Sequence, residues 1–264
     1  MPIRIVTVDA FTNRPFAGNP AAVCVLPEAR PDPWMRDVAR EMNLSETAFL
    51  VPRGDAFHLR WFTPAVEVDL CGHATVGSAH VLWEDGHLPA GQQARFDTLS
   101  GRLLADRRGD WIELDFPAKI AIVAEPPPSL LPSLGLSHAS WVGKNAFDYL
   151  IEVDSEETLF ALKPNHGELR KEPVRGVIVT ARSSSAGIDF VSRFFAPGSG
   201  IDEDPVTGSA HCALGPYWAG KLGQDEFTAF QASARGGTVR VRMNGDRVIL
   251  GGQAVTIMRA ELLC

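Results

Sequence analysis

The sequence has no long hydrophobic run. Nowhere do eighteen apolar residues follow one another, so we expect no membrane-spanning helix. The N-terminal MPIRIVTVDAF alternates like a strand and lacks the apolar core of a signal peptide. The chain also lacks a Gly-x-Gly-x-x-Gly after a strand and a Gly-Lys-Ser/Thr phosphate loop. A nucleotide cofactor is therefore not expected.

Cysteine and positive charge are both scarce. The four cysteines (Cys24, Cys71, Cys212 and Cys264) lack the close spacing of a disulfide framework, which predicts reduced thiols in a cytoplasmic protein. The chain has 25 Lys and Arg against 32 Asp and Glu, a net charge of −7. That balance argues against nucleic acid and acidic membranes as partners. Its 45% hydrophobic and 22% charged residues are typical of a globular protein.

The sequence does contain an internal repeat. GSAH occurs at residues 77–80 and 208–211, and an Arg-aromatic-Phe-x-Pro segment precedes it at residues 60–64 and 193–197. The two offsets, 131 and 133 residues, are nearly equal, which indicates a duplication in which each half carries a strand, a loop and a helix.

The duplication predicts two domains, residues 1–118 and 119–256. Strand-like segments dominate, and each half has one strong helix; the second is predicted to be interrupted near Pro216. We therefore expect an α+β protein in which a mostly antiparallel sheet around a central helix is formed twice. A ligand site would lie in the cleft between the halves.

Glycines open both predicted central helices. Gly72 and Gly208 allow close approach of the backbone, and a helix N-terminus attracts carboxylates and phosphates. In one copy alone, a tight strand-to-helix turn is the better explanation. Two copies together favour a clamp for a small anion or zwitterion, with Thr207 and Ser209 in the second half. Asn19, in a Gly-Asn-Pro turn, is expected to line the same cleft.

Three titratable residues are candidates for proton transfer. Glu46 has apolar neighbours in NLSETAFL. Such surroundings raise the pKa of a carboxyl group toward the neutral pH at which general acid/base catalysis operates. Composition alone favours a glutamate that points to solvent. His73 and Asp204 are predicted to occupy matching places before their helices and to bind substrate or move a proton, although Asp204 also suits a helix cap. Asp202 and Glu203 are interpreted as solvated loop charges.

A metal site is not expected. The candidate ligands fit no regular Cys/His spacing, and both His80 and His211 are predicted to lie two turns into their helices. The other candidates considered are Cys71, His73 and Cys212.

Four motifs together resemble the phenazine-biosynthesis isomerase family, the PhzF-like proteins. They are VDAFTNRPFAGNPAAVCVL, EMNLSETAFL, LCGHATVGSAHVL and DEDPVTGSAHCAL. The resemblance covers nearly the whole chain. It implies the diaminopimelate epimerase fold, with two pseudo-symmetric domains, each a barrel-like sheet around a central helix, and residues 257–264 returning to complete the first. It also implies a homodimer and cofactor-free chemistry.

The resemblance also implies roles for residues. Glu46 becomes the general acid/base that moves a proton. The residues around the substrate carry over to His73, Asp204 and Ser209, with backbone amides from Gly72 and Gly208. In the phenazine enzyme the substrate is a dihydro-hydroxyanthranilate. The leading hypothesis is a cofactor-independent isomerase of a small carboxylated metabolite.

Two alternatives stay open. Related epimerases and proline racemases use two cysteines, one before each helix. Cys71 stands where the first belongs, whereas Pro205 or Val206 occupies the second place and Cys212 lies too far into the helix. A two-thiol racemase is disfavoured, but an amino-acid epimerase that uses Cys71 is not. The other alternative is a catalytically silent protein that only binds a small molecule or a partner.

Overall fold

The computed structural model describes residues 2–263, which divide into two compact units. The first contains the residues up to Asp115 and those from Gly251 onward, and the second is Phe116–Leu250. The predicted boundaries, 118/119 and 256/257, lie a few residues further along the chain. Cys264 lies outside the described residues. No helix within residues 2–263 is long and apolar enough to cross a membrane.

The first unit contains a mixed sheet and two helices. In chain order its elements are β1 (Ile3–Ala10), β2 (Asn19–Val25), α1 (Asp32–Met42), β3 (Glu46–Arg53), β4 (Ala56–Phe62), β5 (Glu67–Val68), α2 (Gly72–Glu84), β6 (Ala94–Thr98), β7 (Gly101–Arg108), β8 (Trp111–Pro117, whose last two residues belong to the second unit) and β17 (Ala254–Leu262).

The two helices of the first unit differ in how they are buried. In α1 the buried side chains lie along one stripe, Met35, Val38 and Ala39, as expected for a helix with one face on a sheet. In α2 ten of thirteen residues are buried, so the helix is enclosed on nearly all sides. It packs against β1, β2, β3 and β17. The other face of the sheet packs against α1, so α2 is the central helix.

The second unit repeats this plan with shorter outer helices. Its elements are β9 (Ile122–Val123), α3 (Leu130–Ser133), β10 (Trp141–Lys144), β11 (Asp148–Glu152), α4 (Glu156–Ala161), α5 (His166–Leu169), β12 (Gly176–Arg182), β13 (Phe190–Phe195), a 3₁₀ turn (Pro197–Ser199), α6 (Gly208–Leu222), β14 (Glu226–Gln231), β15 (Gly237–Asn244) and β16 (Arg247–Gly252, whose last two residues belong to the first unit). Helix α6 has eight buried residues and is the counterpart of α2.

The two units share one order of strand pairing. Following the pairs β17–β1, β1–β2, β2–β3, β3–β4, β4–β6 and β6–β7, the directions are antiparallel, antiparallel, parallel, antiparallel, parallel and antiparallel. The pairs from β9–β10 to β14–β15 follow the same order. Each unit is therefore a mixed sheet with two parallel pairs, and the duplication inferred from the repeat is present in the topology.

The repeated GSAH does not occupy equivalent places. Residues 208–211 form the first turn of α6, whereas residues 77–80 lie in the middle of α2. Counted from the helix starts, Gly72 corresponds to Gly208, an offset of 136 residues. The Arg-aromatic-Phe-x-Pro segments do correspond, since each lies at the end of β4 or β13. The loop before the second helix is three residues longer, and GSAH begins α6 directly, whereas five helical residues precede it in α2.

The predicted interruption of the second helix near Pro216 is wrong. Helix α6 continues through Pro216 to Leu222. A proline inside a helix leaves the carbonyl four residues earlier without its N–H donor. Here that carbonyl belongs to Cys212, and it accepts a hydrogen bond of 2.9 Å from the backbone N–H of Lys119. The replacement donor removes most of the reason for a break.

Candidate active site

Two adjacent strands place Asn19 and Glu46 at the same edge of the first sheet. Strand β2 begins at Asn19 and β3 begins at Glu46, and the strands run parallel with Ala21 beside Glu46. The chain reaches β3 from α1 through Asn43, whose left-handed backbone ends the helix. Parallel neighbours bring their starts to one edge, so the two polar side chains lie close together.

Gly18 fixes the approach to Asn19. Its φ is +64°, and an added Cβ would lie 2.1 Å from the carbonyl oxygen of Ala10. No side chain fits at that distance, so only glycine allows this turn. Asn19 itself is fully buried.

The start of α2 supplies the remaining members of this cluster. Cys71 is the N-cap residue and His73 is the second residue of the helix. His73 Nε2 lies 3.2 Å from Glu46 Oε2, and His73 Nδ1 lies 3.2 Å from Asn19 Nδ2 and 3.5 Å from Cys71 Sγ. We call Glu46, Cys71 and His73 the acid/base cluster. All three are buried, with Glu46 9% exposed.

Glu46 Oε2 is short of hydrogen bonds. Its contact with His73 has the distance of an ion pair but not the alignment of a hydrogen bond, and no described group donates to this oxygen. A buried carboxylate oxygen without a donor carries a large desolvation penalty. Such an atom is suited to accept a proton or a ligand.

The pKa values in the cluster favour a charged imidazole beside a neutral thiol. Burial, reinforced by Glu46, raises the pKa of Cys71 to about 11. Burial alone would lower the pKa of His73, but interactions with Cys71 and Glu46 hold that pKa well above its ordinary value of 6.5.

Asn19 can form a hydrogen bond with His73 in either protonation state of the imidazole ring. Neutral His73 accepts from the Asn19 amide nitrogen at Nδ1, whereas an imidazolium would need the amide oxygen there. The carboxamide offers both groups. It can therefore hold the ring in place while the proton moves.

In the second unit, Asp204 and Thr207 are joined at the start of α6. Thr207 is the N-cap residue, and its hydroxyl donates to Asp204 Oδ2 at 2.5 Å. The buried side chain of Gln231 accepts from Thr207 N at 2.8 Å and donates to the carbonyl of Asp204 at 2.7 Å. Sequence reasoning missed Gln231; its only signal is a polar residue at the end of the apolar strand β14.

The repeated arginines support the loops before the two central helices. Arg60 forms a two-pronged ion pair with Glu67, at 2.7 and 2.6 Å. Arg193 forms one with Glu203, at 2.8 Å for both bonds. Both glutamates stand five residues before their helix. The interpretation of Glu203 as a solvated loop charge is therefore wrong, because Glu203 forms an ion pair with Arg193.

The predicted equivalence of His73 and Asp204 is also wrong. His73 lies inside α2, whereas Asp204 lies four residues before α6. Aligned by helix starts, His73 corresponds to Ser209. Cys71 corresponds to Thr207, not to Pro205 or Val206.

The other two helix histidines have separate environments. His80 lies two turns into α2 as predicted, with Nε2 3.0 Å from Thr256 Oγ1. His211 lies in the first turn of α6 rather than the second, and its Nδ1 contacts the carbonyl oxygen of Thr207 at 2.8 Å. Burial lowers the pKa of His211 to about 4.

The predicted site residues therefore form two groups. The first unit brings together Glu46, His73, Asn19 and Gly72, with Cys71 beside them. The second unit brings together Asp204, Thr207, Gly208 and Ser209 at the start of α6. Ligand atoms of Glu46, Cys71 and His73 lie within 4.8 Å of one another, so a cation is sterically compatible with the acid/base cluster.

Known proteins match the chain over nearly its full length. Residues 8–260 match the sequence profile of the phenazine biosynthesis-like protein family. An uncharacterized isomerase of Halalkalibacterium halodurans is 57% identical, with 98% of each chain covered. The crystal structure of a PhzF-family phenazine biosynthesis protein from Enterococcus faecalis has a TM-score of 0.95 and 39% identity, covering 100% of both chains.

A more distant structure bears on the fold alone. A probable proline racemase from Agrobacterium radiobacter has a TM-score of 0.62 at 13% identity, covering 98% of this chain and 92% of its own. Together with the closer matches, it confirms the α+β, epimerase-like fold predicted from the sequence.

Proposed function

The chain is an isomerase of the phenazine biosynthesis-like family, and we propose that it moves a proton within a small carboxylated metabolite. In this proposal Glu46 is the general acid/base and no cofactor takes part. The observation that carries it is the buried Glu46 carboxylate, whose Oε2 lies 3.2 Å from the His73 imidazole and accepts no hydrogen bond from a described group. A proton acceptor with this geometry is what general acid/base catalysis needs.

The reaction requires only one mobile proton. Glu46 takes a proton from a carbon of the substrate, the double bond shifts, and Glu46 protonates another carbon after exchanging its proton with solvent, so the product formed in D₂O carries deuterium. On a dihydro-hydroxyanthranilate ring these two proton transfers yield the ketone tautomer. His73 stabilises the carboxylate form of Glu46 before the first transfer and after the second, because its imidazole lies beside the carboxylate oxygen. Between the two transfers Glu46 is the neutral acid.

Substrate binding is assigned to polar groups of both units. His73 and Asp204 would bind the carboxylate and amine of the substrate, assisted by the backbone amides at the helix starts Gly72 and Gly208. The assigned side chains also include Asn19, Thr207 and Ser209. A homodimer in the cytoplasm completes the proposal, and sedimentation of the purified protein would test the dimer.

An epimerase that uses Cys71 is the second candidate. It is favoured by one contact, the 3.5 Å between Cys71 Sγ and His73 Nδ1. Two observations weigh against it. The raised pKa of Cys71, about 11, keeps the thiol protonated, and its counterpart Thr207 cannot replace a second thiol. A catalytically silent binding protein would not need the acid/base cluster.

Proton exchange with solvent separates these candidates. The protein is incubated in D₂O with trans-2,3-dihydro-3-hydroxyanthranilate, and separately with a panel of amino acids, while NMR follows deuterium incorporation. We expect isomerisation of the dihydroanthranilate, lost in Glu46→Gln and retained in Cys71→Ala. Glu41→Gln is the matched control, since Glu41 is an exposed glutamate five residues earlier.

Each other outcome has a definite meaning. Exchange at Cα of an amino acid that disappears in Cys71→Ala would move the protein to the epimerases. Full activity in Glu46→Gln would overturn the proposed base. Absence of exchange with every compound would favour the silent binding protein.

A further inference from the structure

The acid/base cluster has the composition of a transition-metal site. It offers one thiol, one imidazole and one carboxylate from the side chains of Cys71, His73 and Glu46, and all three are buried. These are the three ligand types that Zn²⁺ prefers in proteins. No other group of three such ligands is found at this spacing among residues 2–263.

The ligand atoms are close enough together for one ion, although their spacing is not yet that of tetrahedral coordination. Zn–S bonds of about 2.3 Å and Zn–N and Zn–O bonds of about 2.1 Å place neighbouring ligand atoms roughly 3.4 to 3.6 Å apart. His73 Nε2 lies 4.0 Å from Cys71 Sγ and 3.2 Å from Glu46 Oε2. Cys71 Sγ lies nearer to His73 Nδ1, at 3.5 Å, so the thiol must turn toward Nε2 for the three atoms to bind one ion.

Two further observations point to a ligand at this position. Glu46 Oε2 is buried and accepts no hydrogen bond from a described donor, so an incoming cation would satisfy it. His73 Nδ1 contacts the Asn19 carboxamide at 3.2 Å, so the ring would be oriented through the nitrogen that does not bind metal. Metal-bound histidines usually donate their second ring N–H to an acceptor, which the Asn19 amide oxygen would supply once the carboxamide is turned from the orientation in which Nδ2 faces the ring.

We propose that Glu46, Cys71 and His73 bind Zn²⁺, and that the bound ion inhibits the isomerase. Inhibition rests on the proposed function, because the ion would occupy the carboxylate oxygen that moves the proton. Binding replaces the thiol proton of Cys71 with a Zn–S bond and the Nε2 proton of the His73 imidazolium with a Zn–N bond, and both protons pass to the buffer. Three protein ligands leave one position of the ion open to a substrate atom or to water.

The second unit offers no equivalent site. The positions that correspond to Cys71 and His73 hold Thr207 and Ser209. The start of β12, which corresponds to the start of β3, holds Gly176 in place of Glu46. The stoichiometry is therefore one ion for each chain.

Cobalt absorption tests binding without any substrate. The full-length protein is treated with a chelator, exchanged into metal-free buffer and titrated with Co²⁺, whose bond to a thiolate absorbs in the near ultraviolet. We expect the band to saturate at one equivalent and to disappear when Zn²⁺ is added. Cys71→Ala should abolish the band, and Glu46→Gln should weaken Co²⁺ binding by at least about 10-fold. Cys24→Ala, which removes another buried thiol, should leave it intact.

The outcomes separate the two proposals. A band that persists in Cys71→Ala, or no band at one equivalent, would overturn the metal site, and circular dichroism would verify that each variant is folded. In the exchange assay, Zn²⁺ should remove more than nine-tenths of the activity over the range in which it displaces Co²⁺, and a chelator should restore it. Activity unaffected by bound Zn²⁺ would refute inhibition. Absence of exchange activity would count against the proposed function, while the Co²⁺ titration still decides the metal site.

Discussion

The two units have the same order of strand pairing but different residues at one strand start. In the first unit β3 begins with Glu46, which lies 3.2 Å from His73. In the second unit the corresponding strand β12 begins with Gly176, where an added Cβ would lie 2.4 Å from the ring of Phe194. One unit places an acid at this position, and the other fills the space with an aromatic side chain. The proton transfer that we propose is therefore assigned to one copy of the duplicated scaffold.

The helix starts differ in the same way. Cys71 and His73 lie at the start of α2, whereas Thr207 and Ser209 lie at the start of α6. Only in the second unit does a buried glutamine, Gln231, hold the loop before the helix. The proposed proton transfer therefore uses side chains of the first unit, whereas the second unit has a buried, hydrogen-bonded loop before its helix.

The largest expected effect concerns Gly18, the last residue of the connection between β1 and β2. An added Cβ at Gly18 would meet Ala10 O at 2.1 Å. We expect Gly18→Ala to lower the free energy of unfolding by at least about 4 kcal/mol. Gly54→Ala, with a similar φ of +62° and nothing near the added Cβ, should cost only about 1 kcal/mol. Urea unfolding of both variants measures the difference, and equal losses would contradict the close contact.

The duplicated arginines offer a direct comparison between the units. The guanidinium of Arg193 forms an ion pair with Glu203 and also donates a hydrogen bond of 3.0 Å to the carbonyl of Leu162. The side chain of Arg193 is less exposed than that of Arg60. We expect Arg193→Met to lower the free energy of unfolding by about 3 kcal/mol and Arg60→Met by about 1 to 2 kcal/mol. Thermal and urea unfolding would check the ranking. A larger loss in Arg60→Met would show that carbonyl contacts do not distinguish the two.

Two first-turn histidines are expected to give opposite pH dependence. Burial lowers the pKa of His211 to about 4 from 6.5, so the unfolded state binds more protons between these values. The stabilisation is present above pH 6.5 and is lost as the pH falls through about 4. The protein should lose about 2 kcal/mol of unfolding free energy between pH 7 and pH 5 through this group, a loss that is absent in His211→Gln.

The pKa of His73 is raised, so its contribution has the other sign. That stabilisation is fully present below pH 6.5 and is lost as the pH rises through the pKa of the folded state. Urea unfolding of His73→Gln and His211→Gln across pH 5 to 9 measures both slopes. The same slope in both variants would refute the assignment.

The smallest effect concerns Gly176. Adding a methyl group there should force the Phe194 ring to move, and we expect Gly176→Ala to cost about 1 to 2 kcal/mol. The double variant Gly176→Ala, Phe194→Leu provides the matched control. If it is no more stable than the single variant, the ring is not what excludes a side chain from this position.

Some features of the molecule followed from the sequence and others did not. Glu46 and the glycines at the helix starts could be singled out as candidates from the sequence because short motifs fix both their residue types and their order. The register of GSAH was misassigned because four matching letters do not reveal where a helix begins. Pro216 and Glu203 were misjudged because their partners, Lys119 and Arg193, are brought near only by the fold.

The role of Gln231 could not be predicted from the sequence either. A single polar residue at the end of an apolar strand has many explanations in the sequence. Its role depends on three hydrogen bonds to the chain around Asp204 and Thr207, more than twenty residues away. Local patterns cannot reveal a contact of this kind.

The central claim is that proton transfer resides in the first unit and depends on Glu46. The most direct test is the steady-state rate of deuterium incorporation into a substrate, measured over a range of concentrations for Glu46→Gln and Asp204→Asn. We predict that Glu46→Gln lowers kcat by at least about 100-fold with little change in KM, whereas Asp204→Asn mainly raises KM. A Glu46→Gln protein that keeps its kcat, with the loss found in Asp204→Asn instead, would contradict the account.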